Sequence, residues 1–142
     1  MPDPTLSRDT LFTQNLNHKN TKFLEADTTV AKTIFTAGVR GSIITAFTLS
    51  TDETAANSVI LSEIDRGTSY HKDKIALASS TPYGTDGTNG ELDILSMLEG
   101  VRNDGNGNKA YYLSPGKSLQ AAMGTTIAST KTVTIKIQAE DF

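Results

Sequence analysis

Residues 36–64 read TAGVRGSIITAFTLSTDETAANSVILSEI. A turn rich in small residues, Ala37-Gly38 to Arg40-Gly41, leads into an alternating run. In that run Ile43, Thr45, Phe47 and Leu49 fall on one side and Ile44, Ala46 and Thr48 on the other. A period near two with one apolar face predicts a half-buried strand, its Ile43 side toward the core. Asp52 and Glu53 break the run. A second one follows, in which Val59, Leu61 and Glu63 alternate with Ile60, Ser62 and Ile64. Both of its faces carry aliphatic groups, so its register stays open between them. Two strands joined by a short polar link predict a hairpin, and Arg66-Gly67-Thr68 turns the chain again.

Working outward, the same signals recur. The pattern is strand-like from Thr21 to Ala37, with Phe23, Leu24, Val30, Ile34 and Phe35. Ile75 and Leu77 mark a further strand. Tyr111 to Leu113, a Pro115-Gly116 turn and the residues after it read as a strand pair. The cleanest alternation is TKTVTIKIQAEDF at the end: Val133, Ile135 and Ile137 on one side, Thr132, Thr134, Lys136 and Gln138 on the other. That is the wet-and-dry pattern of a sandwich strand. Residues 81–91, with Pro82, Gly84, Gly87 and Gly90, predict a long surface loop, and Asp104-Gly105 and Asn106-Gly107 a tight turn. Leu92, Leu95, Met97, Leu98 and Val101 mix spacings of three and four, which predicts one short helix ending at Gly100. Many short strands with turn signals roughly every ten residues predict an all-β antiparallel sandwich of the Greek-key or jelly-roll kind. Residues 1–22, with Pro2 and Pro4, read as an extended N-terminal arm, and 23–142 as a single β-sandwich domain.

Composition bounds the function. The 142 residues suffice for one domain with a real core. The hydrophobic share of 37 % is modest, and Thr, Ser, Asn and Gly fill the difference. The net charge of −3 lacks the basic footprint of a nucleic-acid or anionic-membrane binder. With no cysteine, disulfide scaffolds and thiolate metal sites are excluded. The start, MPDPTLSRDT, lacks the pattern of a secretory signal, and no apolar run approaches a membrane span.

Chemistry is scarce. His18 and His71 are far apart, each beside a lysine, and read as ordinary surface histidines rather than as a catalytic base with its orienting acid. Gly116-Lys117-Ser118 resembles the end of a phosphate loop, but Tyr111 stands where the upstream glycine belongs. Asp104, Asn106 and Asn108 alternate as in a calcium loop, yet Lys109 and Pro115 occupy its glycine and closing-acid positions. Asp86, Glu91 and Asp93 form the only other cation candidate. The expectation is a protein that is not an enzyme and takes no cofactor and no metal.

The order of the short motifs resembles small virion proteins of tailed phages, the capsid cement or decoration proteins. The matching elements are the A-G-x-x-G-S turn at Ala37–Ser42, the S-T-D-E-T-A-A-N-S-V-I-L link, a G-T-D-G loop at 84–87, the Leu92–Leu98 segment, a D-x-x-G-N turn at Asp104–Asn108, Y-L-x-x-G-x-S-L at Tyr112–Leu119 and a terminal Asp141-Phe142. The resemblance runs from about residue 30 onward and does not cover the arm. It implies a jelly-roll sandwich, made in the host cytoplasm, that sits on the outside of the virion and binds the major capsid protein, commonly as a homodimer or homotrimer. The partners so implied include no nucleic acid and no membrane. The physical counterpart is an arm with apolar anchors Leu6, Leu11, Phe12 and Leu16, and polar contacts Arg8 and Arg40. A neck, tail or fibre-associated virion component is the alternative, and a carbohydrate-binding sandwich a more distant one, short of aromatic platforms.

Overall fold

A computed structural model, describing residues 15–77, 91–103 and 107–142, folds the chain into two antiparallel sheets packed face to face. The strands are β1 (Asn15–Phe23), β2 (Lys32–Thr36), β3 (Ser42–Thr51), β4 (Asn57–Asp65), β5 (Thr68–Leu77), β6 (Leu92–Asp93), β7 (Arg102–Asn103), β8 (Lys109–Leu113), β9 (Lys117–Met123) and β10 (Val133–Asp141). The front sheet has the order β1-β10-β3-β8-β7, with the short β6 also on β3; the back sheet has the order β2-β9-β4-β5. The eight longer strands pair in nested fashion: β1 with β10, β2 with β9, β3 with β8, β4 with β5. Each sheet turns one face inward, and the core fills the space between. Phe23, Phe47, Leu49, Ile135 and Ile137 come from the front, and Phe35, Val59, Leu61, Leu119 and Met123 from the back.

Three bulges account for where simple alternation misleads. On β3 the pairing steps from Ala46↔Gln138 to Ile44↔Ala139, so Thr45 has no partner and the side-chain phase inverts there. Phe47 and Leu49 point in as expected, but Ile44 is the buried isoleucine and Ile43 faces out. On β2 the pairing skips Ile34, which lets Ile34 and Phe35 both turn into the core. On β5 the extra residue is Lys72. The open register of β4 resolves with Val59 and Leu61 buried and Ile60 and Ile64 on the outer face.

The polar link after β3 does not close a hairpin. β3 and β4 lie in different sheets, so Asp52 to Ala56 carries the chain across the sandwich. The Pro115-Gly116 turn likewise joins β8 of the front sheet to β9 of the back one. A polar link is required in both cases, so its composition alone does not separate them. A two-residue hairpin joins β4 to β5 at Arg66-Gly67, where both residues have positive φ, and the consecutive strands β7 and β8 also pair antiparallel. The expected helix is a single 3-10 turn, Leu95–Met97, with a second at Glu25–Asp27; Ile94, Leu95 and Leu98 use it to plug the edge of the core. Residues 15–22 of the expected arm belong to the edge strand β1, which runs beside β10 in unbroken register, and residues 1–14 lie outside the described residues. Residues 81–90 of the expected loop, and Asp104 to Asn106 of the expected turn, lie outside the described residues.

Candidate functional site

The acids of the opening stretch serve the fold. Glu53 is 4 % exposed, and its carboxylate accepts the N–H groups of Thr54 (3.1 Å), Ala55 (3.2 Å) and Ala128 (2.8 Å). Asp52 accepts the N–H of Thr132 (2.8 Å), and Thr51 donates its hydroxyl to the carbonyl of the same residue (2.8 Å). Together they staple the β3–β4 crossing between the sheets to the β9–β10 crossing. Of the cation candidate, Asp86 lies outside the described residues. Glu91 is held by Lys136 (2.6 Å) and Thr48 (3.0 Å), and Asp93 receives the Ser96 hydroxyl. Lys136 and Thr48 hold the Glu91 carboxyl below its usual range. No cluster of three potential metal ligands occurs among the described residues. His18 and His71 stand on β1 and β5, in different sheets.

What the fold does assemble is one end of the sandwich. The β2–β3 turn, the Arg66-Gly67 turn, the Pro115-Gly116 turn, the start of β1 and the end of β10 all meet there. Gly41 has φ +95°, and a side chain on it would come within 2.8 Å of the Tyr112 hydroxyl. Only glycine combines that backbone with that approach. A Cβ on Gly38 would sit 2.7 Å from the Asp141 carboxyl carbon. Asp141 accepts from Ser42 Oγ (2.5 Å) and from Asn17 Nδ2 (3.1 Å), while Ser42 Oγ accepts the Gly38 N–H (2.8 Å). The Phe142 N–H donates to the Gly41 carbonyl (3.2 Å), and its ring meets Tyr112 edge-on at 5.9 Å. The A-G-x-x-G-S turn, the Tyr112 strand and the Asp141-Phe142 pair are therefore one interlocked unit.

On the outer face beside this unit, cross-strand pairing lines up Leu16, Glu140, Ile43 and Tyr112 across four strands. Leu16 is 73 % exposed, Tyr112 is 52 % exposed, and Val39 in the adjoining turn is 95 % exposed. Four apolar side chains around one glutamate form a surface that water would leave readily. Two sequence candidates belong to it: Leu16 stands in the row, and Arg40 is exposed in the turn beside Val39. Leu6, Arg8, Leu11 and Phe12 lie outside the described residues. Ile43, Val39, Tyr112 and Phe142 were not anticipated. The bulge at Thr45 hides Ile43 from a simple alternation, whereas Tyr112 and Phe142 already stood in the quoted motifs.

On the inner side of the same end, Glu63 continues the inward row of Val59 and Leu61 to the rim, where its side chain is 14 % exposed. The bulge aims Lys72 at it (3.4 Å), Lys117 approaches from β9 (3.1 Å), and the Tyr111 hydroxyl lies 3.4 Å away. Burial works to raise the Glu63 carboxyl, but Lys117 and Lys72 outweigh it and hold the group below its usual range. Glu63 in turn holds Lys117 above its ordinary value. Lys72, with its ammonium 5.3 Å from the Tyr111 ring centre, is also raised: burial works against this, and Tyr111 and Glu63 prevail. The cluster ties the two sheets together and closes the core at this end.

No helix among the described residues is long and apolar enough to cross a membrane. No protein-family model matches the chain, and no curated protein matches it in sequence.

Proposed function

We propose that this chain is a phage virion structural protein, a jelly-roll cement or decoration protein that binds the outer surface of the major capsid lattice and stabilises it. The nested pairing of first strand with last, second with second-last and so inward supports the jelly-roll reading, since that architecture is a long hairpin rolled into two sheets. The observation that carries the functional reading is the interlocked unit: the turn, strand and terminal motifs behind the family resemblance come together at one end of the sandwich.

The exposed row beside that unit suits docking onto a lattice. Burying Leu16, Ile43, Val39 and Tyr112 removes apolar area from water at about 25 cal/mol per Å². Repetition over a shell supplies avidity, so a modest contact suffices. Residues 1–14 join β1 at the same end and can add main-chain hydrogen bonds to a partner sheet.

The test adds purified protein to capsids that lack it and measures occupancy by sedimentation and cryo-electron microscopy. Wild type is expected to saturate a regular set of positions over the whole shell. Val39→Ser, at a 95 % exposed position, and removal of residues 1–14 are each expected to lower occupancy at an unchanged urea midpoint. The truncation stops at 14 because a longer one removes residues of β1. Capsids that take up no wild-type protein, or variants that bind as well as wild type, would refute the reading. A single ring of copies at a neck or tail would instead select the alternative virion role.

A further inference from the structure

Among the described residues, the outer face of the back sheet is a broad surface left unexplained by core, rim or docking row. Its central strand β4 presents Ser58, Ile60, Ser62 and Ile64 outward, and β9 sets Ala122 opposite Ile60 and Gln120 opposite Ser62. The side chains are short, so a second flat surface can approach closely. From β2 across to β5 the outward positions carry two titratable groups, His71 and Lys74. Both stand on the edge strand β5, where a long side chain reaches solvent past a neighbour. The front sheet differs: His18, Lys22, Lys136 and Glu140 share its outer face, and Glu91 is folded over it.

We propose that the back sheet's outer face is a self-association surface, on which two copies of this chain pack face to face about a two-fold axis. A two-fold contact places a patch against itself, residue i on j and j on i, so a patch whose outward positions carry a lysine and no acid gains nothing from ion pairing. A patch nearly free of charge, with Ile60 midway along β4 and Ile64 toward its end, is therefore suited to a copy of itself and poorly suited to an oppositely charged partner. Its size agrees. Four strands about 4.8 Å apart and about 25 Å long give close to 500 Å² per copy, or about 1,000 Å² for both before side-chain relief. That reaches the ~1,000 Å² above which specific contacts are distinguished from incidental ones. A shallow hollow lined by Ser58, Ile60, Ala76 and Thr125, with Lys74 at its β5 side, gives the partner's side chains somewhere to seat.

The inference rests on the part of the functional reading in which the chain meets copies of itself. It is tested on the free protein without capsids, so the two fail separately. Sedimentation equilibrium of the full chain over micromolar concentrations is expected to give a monomer–dimer equilibrium. Ile60→Glu is expected to raise its dissociation constant by at least about tenfold, because the carboxylate and Lys74 opposite it on β5 must both lose water when the face is covered, which costs more than burying the isoleucine. Gln120→Lys, a milder change at a polar position, is expected to weaken the dimer in the same direction, and it serves if Ile60→Glu fails to fold. Asn20→Glu, on the outer face of the front sheet, is expected to leave the equilibrium unchanged. Circular dichroism and urea midpoints establish that each variant is folded. A wild type that stays monomeric, a trimer, or folded back-face variants that dimerise as well as wild type would each overturn the proposal.

Discussion

Replacing Glu53 with alanine removes a buried carboxylate bound to backbone N–H groups, and it is expected to be among the more damaging single changes outside the aliphatic core. The carboxylate accepts three backbone N–H groups. Those of Thr54 and Ala55 belong to exposed residues next to Glu53, and water can replace much of what they lose. The 2.8 Å bond to Ala128 joins segments 75 residues apart in sequence, and it is the bond that fixes one crossing against the other. A hydrogen bond to a charged group contributes about 1.5–3 kcal/mol. With a smaller contribution from the two local bonds, the expected loss is about 3 kcal/mol, or about 9 °C in Tm at roughly 3 °C per kcal/mol for a chain of this size. Glu53→Gln keeps the shape but offers one acceptor where two are used, so about half of that loss is expected. The assay is urea unfolding followed by circular dichroism, with Asp73→Ala as a control. Asp73 caps only the neighbouring N–H of Lys74, at 2.7 Å, and its loss is expected to stay within about 0.5 kcal/mol. If Glu53→Ala also stays within about 0.5 kcal/mol, the staple contributes nothing and the reasoning fails.

Two further outcomes are expected. Ile44→Ala should cost about 3 kcal/mol and Ile43→Ala about 1 kcal/mol or less in the same unfolding assay; equal losses would place the bulge elsewhere. The Glu63 cluster should show in the pH profile. A carboxyl held low in the folded state stabilises above its unfolded value near 4.5 and loses that contribution as pH falls through its folded value. The raised lysines keep their contribution through neutral pH and lose it above their usual value near 10.5. The gap in stability between wild type and Glu63→Gln, about 1 kcal/mol at neutral pH, should therefore close in acid; a gap that persists would assign Glu63 a purely steric role.

How much could be read beforehand depended on how regular each strand is. β10 follows strict alternation from Val133 to Ala139, and its inward set is the one the sequence predicts. β3 does not, because one unpaired residue, Thr45, shifts everything before it by half a period. Nothing in the string IITAF marks which residue is extra. The Asp52–Ala56 link announced a reversal of direction but not a change of sheet, which depends on what lies opposite. Leu92, Leu95 and Leu98 follow helical spacing, yet they seal the core with a single 3-10 turn. At the candidate site, Leu16 and Arg40 were chosen for composition, and the fold brings them to the same end. Their neighbours Ile43 and Tyr112 join them only through the pairing of β1, β10, β3 and β8, which is non-local and leaves no local signal.

The nested pairing also imposes an order on how the chain can acquire its shape. The innermost pair, β4 with β5, closes over the two residues Arg66 and Gly67, and each pair outside it spans a longer stretch. Asn17 and Asp141, hydrogen-bonded on the outermost pair, are 124 residues apart. Closure entropy rises with the length of the enclosed loop, so the inner hairpin is the cheapest nucleus and the β1–β10 seam the most expensive to form. Zipping from the middle outward leaves the exposed row for last, since Leu16 meets Glu140 only when that seam closes. A chain caught partway would hold a formed back sheet without that row, so the surface proposed to grip a lattice would be complete only when the fold is.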